Sequence, residues 1–386
     1  MDYITCETLI DGTGTSPQHG KAVIVEQGRV TEVVDQATTP PPAGARVINL
    51  DGMTVMPGMI DCHEHLCLDV GDEAAQCAQP YARLVIISTH NAKAILESGI
   101  TTIRDCGEKD FLDVEIKKAI DEGMIPGPRL VISGQPIIRT GGHAHFLGRE
   151  TDGVDDMRKA VREQVKRGVD FIKIMVSGGM STLGSVPDGQ EFSDEEIRAC
   201  MDEAHRAGLP VCAHIHGGPG LKVAVDAGVD TVEHGALLKE EDVEYLAKHD
   251  VWLVSTDGVG QVAAQLPDAP EHYKRKSKAG QKHRLKVRQW AKSHGVKVAV
   301  GTDTNHARMD MEMQALIDAG WTPMEALQAL TLRGAELLGM EADLGTVESG
   351  KYADLIALES NPLENPTALN SVQFVMKNGT IYRHDA

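Results

Sequence analysis

The feature that most constrains the fold is a regular alternation of short apolar runs with longer segments of helical periodicity through most of the chain. Alternating strands and helices predict a parallel sheet, and eight such units predict a (β/α)8 TIM barrel. An open doubly wound sheet is the alternative, but no glycine-rich nucleotide-binding motif opens any unit. The eight predicted strands cover residues 55–60, 100–104, 130–133, 171–176, 210–213, 231–232, 251–255 and 296–300.

The two ends of the chain have short apolar runs and turn residues without helical segments between them, and this pattern predicts a small discontinuous β domain. Apolar runs bounded by turn residues indicate strands, and Asn378-Gly379 between two such runs indicates a hairpin. The predicted strands cover residues 3–5, 22–25, 30–34, 46–50, 354–358, 371–376 and 380–382. We therefore divide the chain into a small β domain, residues 1–55 with 345–386, and a barrel, residues 56–344.

Charge and cysteine content limit the classes of partner. A net charge of −19 argues against nucleic acid and against anionic membranes, because both are bound by basic surfaces. No segment has the roughly 18 apolar residues of a membrane span, and the first residues lack the pattern of a secretory signal. Seven cysteines without CxxC pairs indicate reduced thiols. We expect a cytoplasmic protein that binds a small molecule.

One stretch, residues 273–288 (YKRKSKAGQKHRLKVR), is locally basic. The charge pattern favours a solvated face of a loop and a helix. The alternative is that one of its cations meets an anionic group of a substrate.

Six residues that can bind metal ions fall in or directly after five of the predicted strands. Alternate residues of a strand project to the same face, so the His-x-His pair that follows the first strand can converge on one ion. In a barrel, the carboxyl ends of all strands share one pocket. A single histidine there is more often a satisfied polar residue, but six such groups together predict a metal site. They are His63, His65, Lys173, His214, His234 and Asp303.

Lys173 decides between two kinds of barrel chemistry. An ammonium group inside an apolar strand is costly unless it is paired or chemically altered. One solution is a lowered pKa and Schiff-base formation. The other is carboxylation by CO2, which produces an anionic carbamate that can bridge two cations. Four histidines and an aspartate around the lysine favour the carbamate, and nitrogen and oxygen ligands without a thiolate favour two Zn²⁺ ions over manganese, cobalt or iron.

The order of these residues resembles the amidohydrolase superfamily. Further phrases resemble its branch of imidazolonepropionase-like proteins and binuclear Xaa-Pro or Xaa-Arg dipeptidases and carboxypeptidases. The phrases are PGMIDCHEHL, GITTIRDCG, FIKIMVSGG, VCAHIHGG, TVEHG, VGTDT, ALTLRGAELLG and LGTVESGKYADLIAL. The resemblance spans nearly the whole chain. It implies that the small domain is a β-sandwich, and barrels of this type often form homo-oligomers.

The resemblance also implies a separate role for each residue of the site. His63, His65 and Asp303 would hold one metal, His214 and His234 the second, and carboxylated Lys173 would bridge them. A hydroxide between the metals would attack the carbonyl, with Asp303 as general base and then general acid. His143 would help to polarise the scissile carbonyl. Deaminases of the superfamily lack the lysine, so its presence favours amide hydrolysis.

Several neighbouring residues have open assignments. His216 is an alternative ligand to His214, and His143 could lie in a tight turn with an exposed ring. For Arg104 we expect a buried ion pair with Asp105 or a neighbour, and His306 would contact either the pocket or only its own loop. The seventh strand ends in 253-LVSTDG-258, without the Pro-Thr ending of the dipeptidases, which puts a dipeptide substrate in doubt more than the metal centre.

These features predict a binuclear metal-dependent amidohydrolase that cleaves a C–N bond of a small amide, best a dipeptide or an N-acyl amino acid. The alternatives are a cyclic amide, as in imidazolonepropionase, and an ester or carbamate. A non-catalytic scaffold with this fold would be expected to have lost ligands, whereas this chain retains all six.

Overall fold

A computed structural model describes residues 1–385; Ala386, the last residue of the predicted small domain, lies outside the described residues. The strands are β1 (Asp2–Leu9), β2 (Gln18–Glu26), β3 (Arg29–Asp35), β4 (Arg46–Pro57), β5 (Met59–Glu64), β6 (Ile100–Asp105), β7 (Arg129–Ile132), β8 (Ile137–Ile138), β9 (Arg149–Glu150), β10 (Ile172–Met175), β11 (Val211–Ile215), β12 (Thr231–His234), β13 (Trp252–Ser255), β14 (Val298–Val300), β15 (Leu355–Leu358), β16 (Val372–Lys377) and β17 (Thr380–His384).

The helices alternate with strands through the middle of the chain. They are α1 (Glu73–Cys77), α2 (Tyr81–Glu97), α3 (Leu112–Asp121), α4 (Val154–Arg167), α5 (Asp194–Arg206), α6 (Gly220–Asp226), α7 (Glu240–Lys248), α8 (Asp257–Ala263), α9 (Glu271–His294), α10 (Met309–Asp318), α11 (Pro323–Ala329) and α12 (Leu332–Leu337). Two short 3₁₀ helices span Lys109–Phe111 and Pro366–Asn370. No helix described in residues 1–385 has the length and apolar character needed to cross a membrane.

Eight parallel strands close into the predicted barrel, in the order β5, β6, β7, β10, β11, β12, β13 and β14. Ladders join β5 to β7 and β10 to β14 in sequence. The amide of Asp170, before β10, donates to the carbonyl of Ile132 in β7. On the other side, the amide of Asp303 donates to the carbonyl of His63 at 2.7 Å, so β14 meets β5. The predicted (β/α)8 fold is confirmed.

The first barrel strand begins four residues later than predicted. We expected one strand over residues 55–60, but the structure divides this run at Gly58. The part before it completes β4, whose Val55 and Pro57 pair with β1 and β15. The part after it begins β5. All of residues 55–60 are buried, so the apolar pattern of the run could not show where the chain passes from one sheet to the next.

Strands from both ends of the chain form one seven-stranded sheet in the order β17-β16-β15-β4-β1-β2-β3. Val23 and Val25 at one end of this sheet share an apolar core with Phe374 and Met376 near the other end, so the sheet folds over itself. The Asn378-Gly379 hairpin joins β16 to β17, and both turn residues have positive φ, which Asn and Gly tolerate best. The division into residues 1–55 with 345–386 and residues 56–344 stays a prediction.

Candidate active site

All six predicted metal ligands and His143 line one pocket at the carboxyl ends of the barrel strands. The cavity has a volume of about 60 Å³. His63 lies near the end of β5, Lys173 lies in β10, and His234 is the last residue of β12. The barrel therefore brings together residues that are up to 240 positions apart in the chain (63 to 303).

The imidazole rings are packed against one another. The ring centroid of His63 lies 5.4 Å from that of His65 and 4.6 Å from that of His234. The centroids of His214 and His234 are 4.5 Å apart. One nitrogen each of His63 and His234 and one carboxylate oxygen of Asp303 lie within 4.8 Å of one another. This span is close to what a shared ion with bonds of about 2.1 Å requires. The group joins His63 and Asp303 to His234, which we assigned to a different ion, so the division of the ligands between two ions stays a prediction.

Hydrogen bonds orient three of these rings. His63 Nδ1 lies 2.6 Å from a carboxylate oxygen of Glu233, and His65 Nδ1 lies 2.7 Å from the carbonyl oxygen of Gly107. Because these oxygens only accept, Nδ1 donates in both rings and Nε2 is left with a free lone pair for a metal. His234 Nδ1 lies 2.7 Å from the hydroxyl of Thr256. Thr256, in the ending of the seventh strand that differs from the dipeptidases, is thus the hydrogen-bond partner of the predicted ligand His234.

Both histidines of the pair after β11 line the pocket. The Nε2 of His214 lies 3.1 Å from the carbonyl oxygen of Gly178, whereas the Nδ1 of His216 is buried and has no hydrogen-bond partner in residues 1–385. Their ring centroids are 4.7 Å apart, and both rings contact His234. The assignment of His214 over His216 as the ligand stays a prediction.

Burial controls the protonation of the pocket. It lowers the pKa of His63 and of His143 to about 3, assisted by the positive charge of Lys173. Burial also raises the pKa of Asp303 to about 7. Neutral imidazoles are the form that binds metal ions. Without an ion, the pocket favours neutral histidines and a carboxyl group that gains a proton readily.

Lys173 is the group most in need of a partner. Its side chain is 1% exposed, and its Nζ has no hydrogen-bond partner among the described residues. A buried ammonium in this state is costly. A carbamate on Nζ would remove this positive charge, and the surrounding imidazole and carboxylate groups are donors that suit divalent ions. The number of ions and the carboxylation of Lys173 stay predictions.

A buried ion pair lies beneath the pocket. Arg104 donates to both carboxylate oxygens of Glu233 at 2.8 Å. The buried ion pair that we expected for Arg104, with Asp105 or a neighbour, is therefore present, and its partner is Glu233. Although burial opposes ionisation, Arg104 and the hydrogen bond with His63 hold the pKa of Glu233 well below its usual range. Sequence reasoning missed Glu233, because its only signal is an acid between two buried residues of β12, Val232 and His234.

His143 lies in the pocket, and its ring is not exposed. Its Nδ1 lies 2.9 Å from the hydroxyl of Thr182, and its ring centroid lies 4.4 Å from that of His214. A Cβ atom on Gly179 would lie 2.2 Å from His143 Nε2, so only glycine at residue 179 leaves room for the ring. His306, in contrast, lies against the carboxylates of Glu64, at the end of β5, and of Asp69 in the segment after β5, and it is not among the residues that line the cavity.

The basic stretch contributes one cation to the pocket. Seven of residues 273–288 are exposed on α9, as predicted, but Arg284 and Arg288 are both buried, and Arg284 lines the cavity beside Tyr273. Its Nη1 has no hydrogen-bond partner within residues 1–385. Gly260 packs directly against the guanidinium. The alternation of charged residues in the stretch could not show which cation turns inward.

A hydrolytic TIM barrel with a histidine-rich site is thus defined by the fold and the pocket. The model of the amidohydrolase family matches residues 54–382. The chain belongs to the amidohydrolase family and is a hydrolase that acts on C–N amide bonds.

Three relatives show where the chain stands within this family. Ochratoxinase from Aspergillus niger is 30% identical over 416 aligned residues, which cover 97% of this chain and 85% of that protein. Imidazolonepropionase from Pseudomonas entomophila is 25% identical, covering 90% and 89%. The crystal structure of a Xaa-Pro dipeptidase with methionine bound in its active site superposes with a TM-score of 0.91, at 29% identity and with 99% of each chain covered. The resemblance to the dipeptidase-like branch is confirmed.

Proposed function

We propose that the protein uses two bound divalent metal ions to hydrolyse an amide bond whose leaving group is an amino acid, in a dipeptide or an N-acyl amino acid. The observation that carries this proposal is Arg284, a buried guanidinium with an unpaired Nη1 in the same pocket as the histidines. The nearest carboxylate, Asp257, lies 3.9 Å from Arg284 Nε and also pairs with Arg288 at 3.1 Å, so it leaves Nη1 without an acceptor. A buried donor without an acceptor is costly, so a ligand carboxylate is the expected counterpart of Nη1. The carboxylate of an amino acid satisfies it.

The donor set supports the predicted metal roles. His63, His65 and Asp303 would hold one ion, His214 and His234 the other, and carboxylated Lys173 both. Zinc suits these nitrogen and oxygen ligands. When bound, such ions lower the pKa of a water molecule in the site and polarise the scissile carbonyl.

Asp303 is placed to move the proton. A carboxylate oxygen of Asp303 lies 3.8 Å from His65 Nε2. Asp303 also belongs to the group of metal-competent atoms that includes His63 and His234. We infer that it accepts a proton from the attacking water and delivers it to the leaving nitrogen.

His143 is suited to bind the carbonyl oxygen of the substrate. The hydroxyl of Thr182 accepts a hydrogen bond from the amide of Ala144 at 2.9 Å, so its own proton is available to His143 Nδ1. This arrangement leaves the other ring proton on Nε2. An Nε2–H donor stabilises the negative charge that develops on the carbonyl oxygen during attack.

The first test measures amino-acid release by the zinc-loaded protein from pooled dipeptides and N-acyl amino acids. A matched pool of lactams and hydantoins is followed separately for ring opening. Release from the linear pool is the expected result. Turnover confined to the cyclic pool would contradict the proposal and favour an imidazolonepropionase-like reaction.

The second test examines Arg284 directly. For a dipeptide and its C-terminal amide, the wild-type protein should prefer the free carboxylate. Arg284→Met should lower kcat/KM for the acid roughly 10- to 100-fold, as expected for a charged hydrogen bond worth about 1.5–3 kcal/mol. Lys286→Met, an exposed change two residues along the same helix, is the control. Equal loss on acid and amide would contradict the assigned role.

A further inference from the structure

A second cavity adjoins the catalytic pocket. Its volume is about 280 Å³, compared with about 60 Å³ for the inner pocket. Glu73 and Ser181 line both cavities and form the wall between them. Pockets that bind small molecules usually have volumes of about 300–1,000 Å³, so the inner pocket is too small to hold such a ligand by itself. A ligand as large as a dipeptide must therefore extend past Glu73 into the outer cavity.

Glu73 presents one free carboxylate oxygen at this wall. The hydroxyl of Ser181 donates to Oε2 at 2.6 Å, which joins the loop after β5 to the loop after β10 across the mouth of the barrel. The other oxygen, Oε1, has no hydrogen-bond partner in the described part of the chain. The side chain is thus held in place by Ser181, with half of its accepting capacity available to a ligand.

The outer cavity is acidic. Asp72 and Glu73 are its two carboxylates, and neither lysine nor arginine lines it, although His145 and His272 do. His272 Nε2 lies 2.6 Å from the carbonyl oxygen of Ser181. Lys276 contacts the loop that contains Ser181, but its Nζ donates to the carbonyl oxygens of Gly179, Thr182 and Ser185 at 3.1, 3.0 and 2.6 Å. A cationic group is the ligand that such a cavity favours.

We propose that Glu73 determines specificity by binding an alkylammonium group on the acyl side of the substrate. This inference rests on the proposed function, in which Arg284 binds the carboxylate of the leaving amino acid. Burial raises the pKa of Glu73 to about 8, so an approaching ammonium would favour its ionised form and make a charge-assisted hydrogen bond with Oε1. A carboxylate at the acyl end would gain no such bond. The two residues then select a zwitterionic ligand. The ammonium can belong to the free α-amine of a dipeptide or to a basic side chain of its acyl residue.

The experiment compares the wild-type protein with Glu73→Gln, which keeps the side-chain length and an oxygen that can accept from Ser181. One substrate pair is a dipeptide and its N-acetyl derivative. The other pair is two N-acetylated dipeptides with the same leaving amino acid, one with lysine and one with norleucine as the acyl residue. Both kcat/KM and the dissociation constant, by calorimetry, are measured for each. Glu271→Gln, which removes a carboxylate from an 89% exposed side chain, is the control.

We expect wild-type protein to favour the ammonium-bearing member of at least one pair, with Glu73→Gln losing roughly 10- to 100-fold on that member and little on its neutral counterpart. Loss on the first pair assigns the α-amine, and loss on the second assigns the side chain. Equal binding of both members of both pairs by the wild type would overturn the inference, as would equal losses in the variant. Binding that discriminates without any cleavage would overturn the proposed function and leave this inference standing.

Discussion

Replacing Arg104 by methionine should destabilise the protein by about 3–5 kcal/mol, the cost of breaking a buried ion pair by removal of one partner. Arg104 is 3% exposed and Glu233 is fully buried. The change removes two hydrogen bonds to Glu233 at 2.8 Å, one to the carbonyl of Cys62 at 2.6 Å and one to the hydroxyl of Thr231 at 3.1 Å. Methionine preserves much of the apolar volume, so the loss is mainly electrostatic.

The assay is urea unfolding of metal-free protein for Arg104→Met, Glu233→Met and the double variant. The double variant should be less destabilised than the sum of the single changes, with a coupling energy of about 2 kcal/mol or more, because no unpaired charge is left. The deficit of Arg104→Met should also depend on pH. It should be largest near pH 7, where Glu233 is ionised, and smaller at pH 4–5, where an unpaired Glu233 carboxyl takes up a proton.

A deficit below about 1 kcal/mol, or strictly additive free energies, would refute this reasoning. The pair also has a functional consequence, because Glu233 accepts from His63 Nδ1. Changes in residues that orient a ligand typically cost 10- to 100-fold in metal affinity. Glu233→Gln should therefore weaken zinc binding by that factor while His63→Asn lowers it further, as measured by competition with a chelator.

Three further predictions concern the pocket. Lys173→Ala should abolish most activity and lower metal occupancy, with partial rescue by short carboxylates; unchanged metal content would contradict the bridging role. Gly260→Ala should raise KM with little loss of stability, because its Cβ would meet only the mobile end of Arg284, 1.7 Å from Nη1, whereas Gly280→Ala on α9, with no atom closer than 3.9 Å, should change neither. The pKa of His143 is lowered to about 3, so its folded form stays neutral while the unfolded form gains a proton as pH falls below about 6.5. His143→Gln should consequently lose stability less steeply than wild type between pH 6.5 and 4, by about 1 kcal/mol per pH unit, in urea titrations; parallel curves would contradict the lowered pKa.

Much of the architecture could be predicted because it depends on local periodicity. Seven of the eight barrel strands fall on short apolar runs of their own, and the Asn378-Gly379 hairpin follows from the backbone preferences of two residues. The division at Gly58 could not be predicted in this way. Residues on both sides of it are equally apolar and equally buried, and the sheets that receive them are formed by partners far away in the chain.

The ligand set was accessible to sequence reasoning for a related reason. Residues that end parallel strands of one barrel share a pocket wherever they lie in the chain, so His63, Lys173 and Asp303 could be grouped without coordinates. The partners that orient them obey no such rule. Glu233 pairs with Arg104 across the barrel, and Thr256 reaches His234 from the next strand, through contacts that only the closed barrel creates.

The sequence by itself therefore determined the barrel, the second β sheet and the residues able to bind metal, because these follow from strand periodicity and strand order. Two features were decided only by the tertiary structure. Arg284 is the one cation of residues 273–288 that lines the cavity, and Glu73 separates the inner pocket from an outer one. Both choices depend on how α9 and the loops after β5 and β10 pack over the barrel mouth. Charge and spacing along the chain are nearly the same for side chains that point inward and for those that point to solvent.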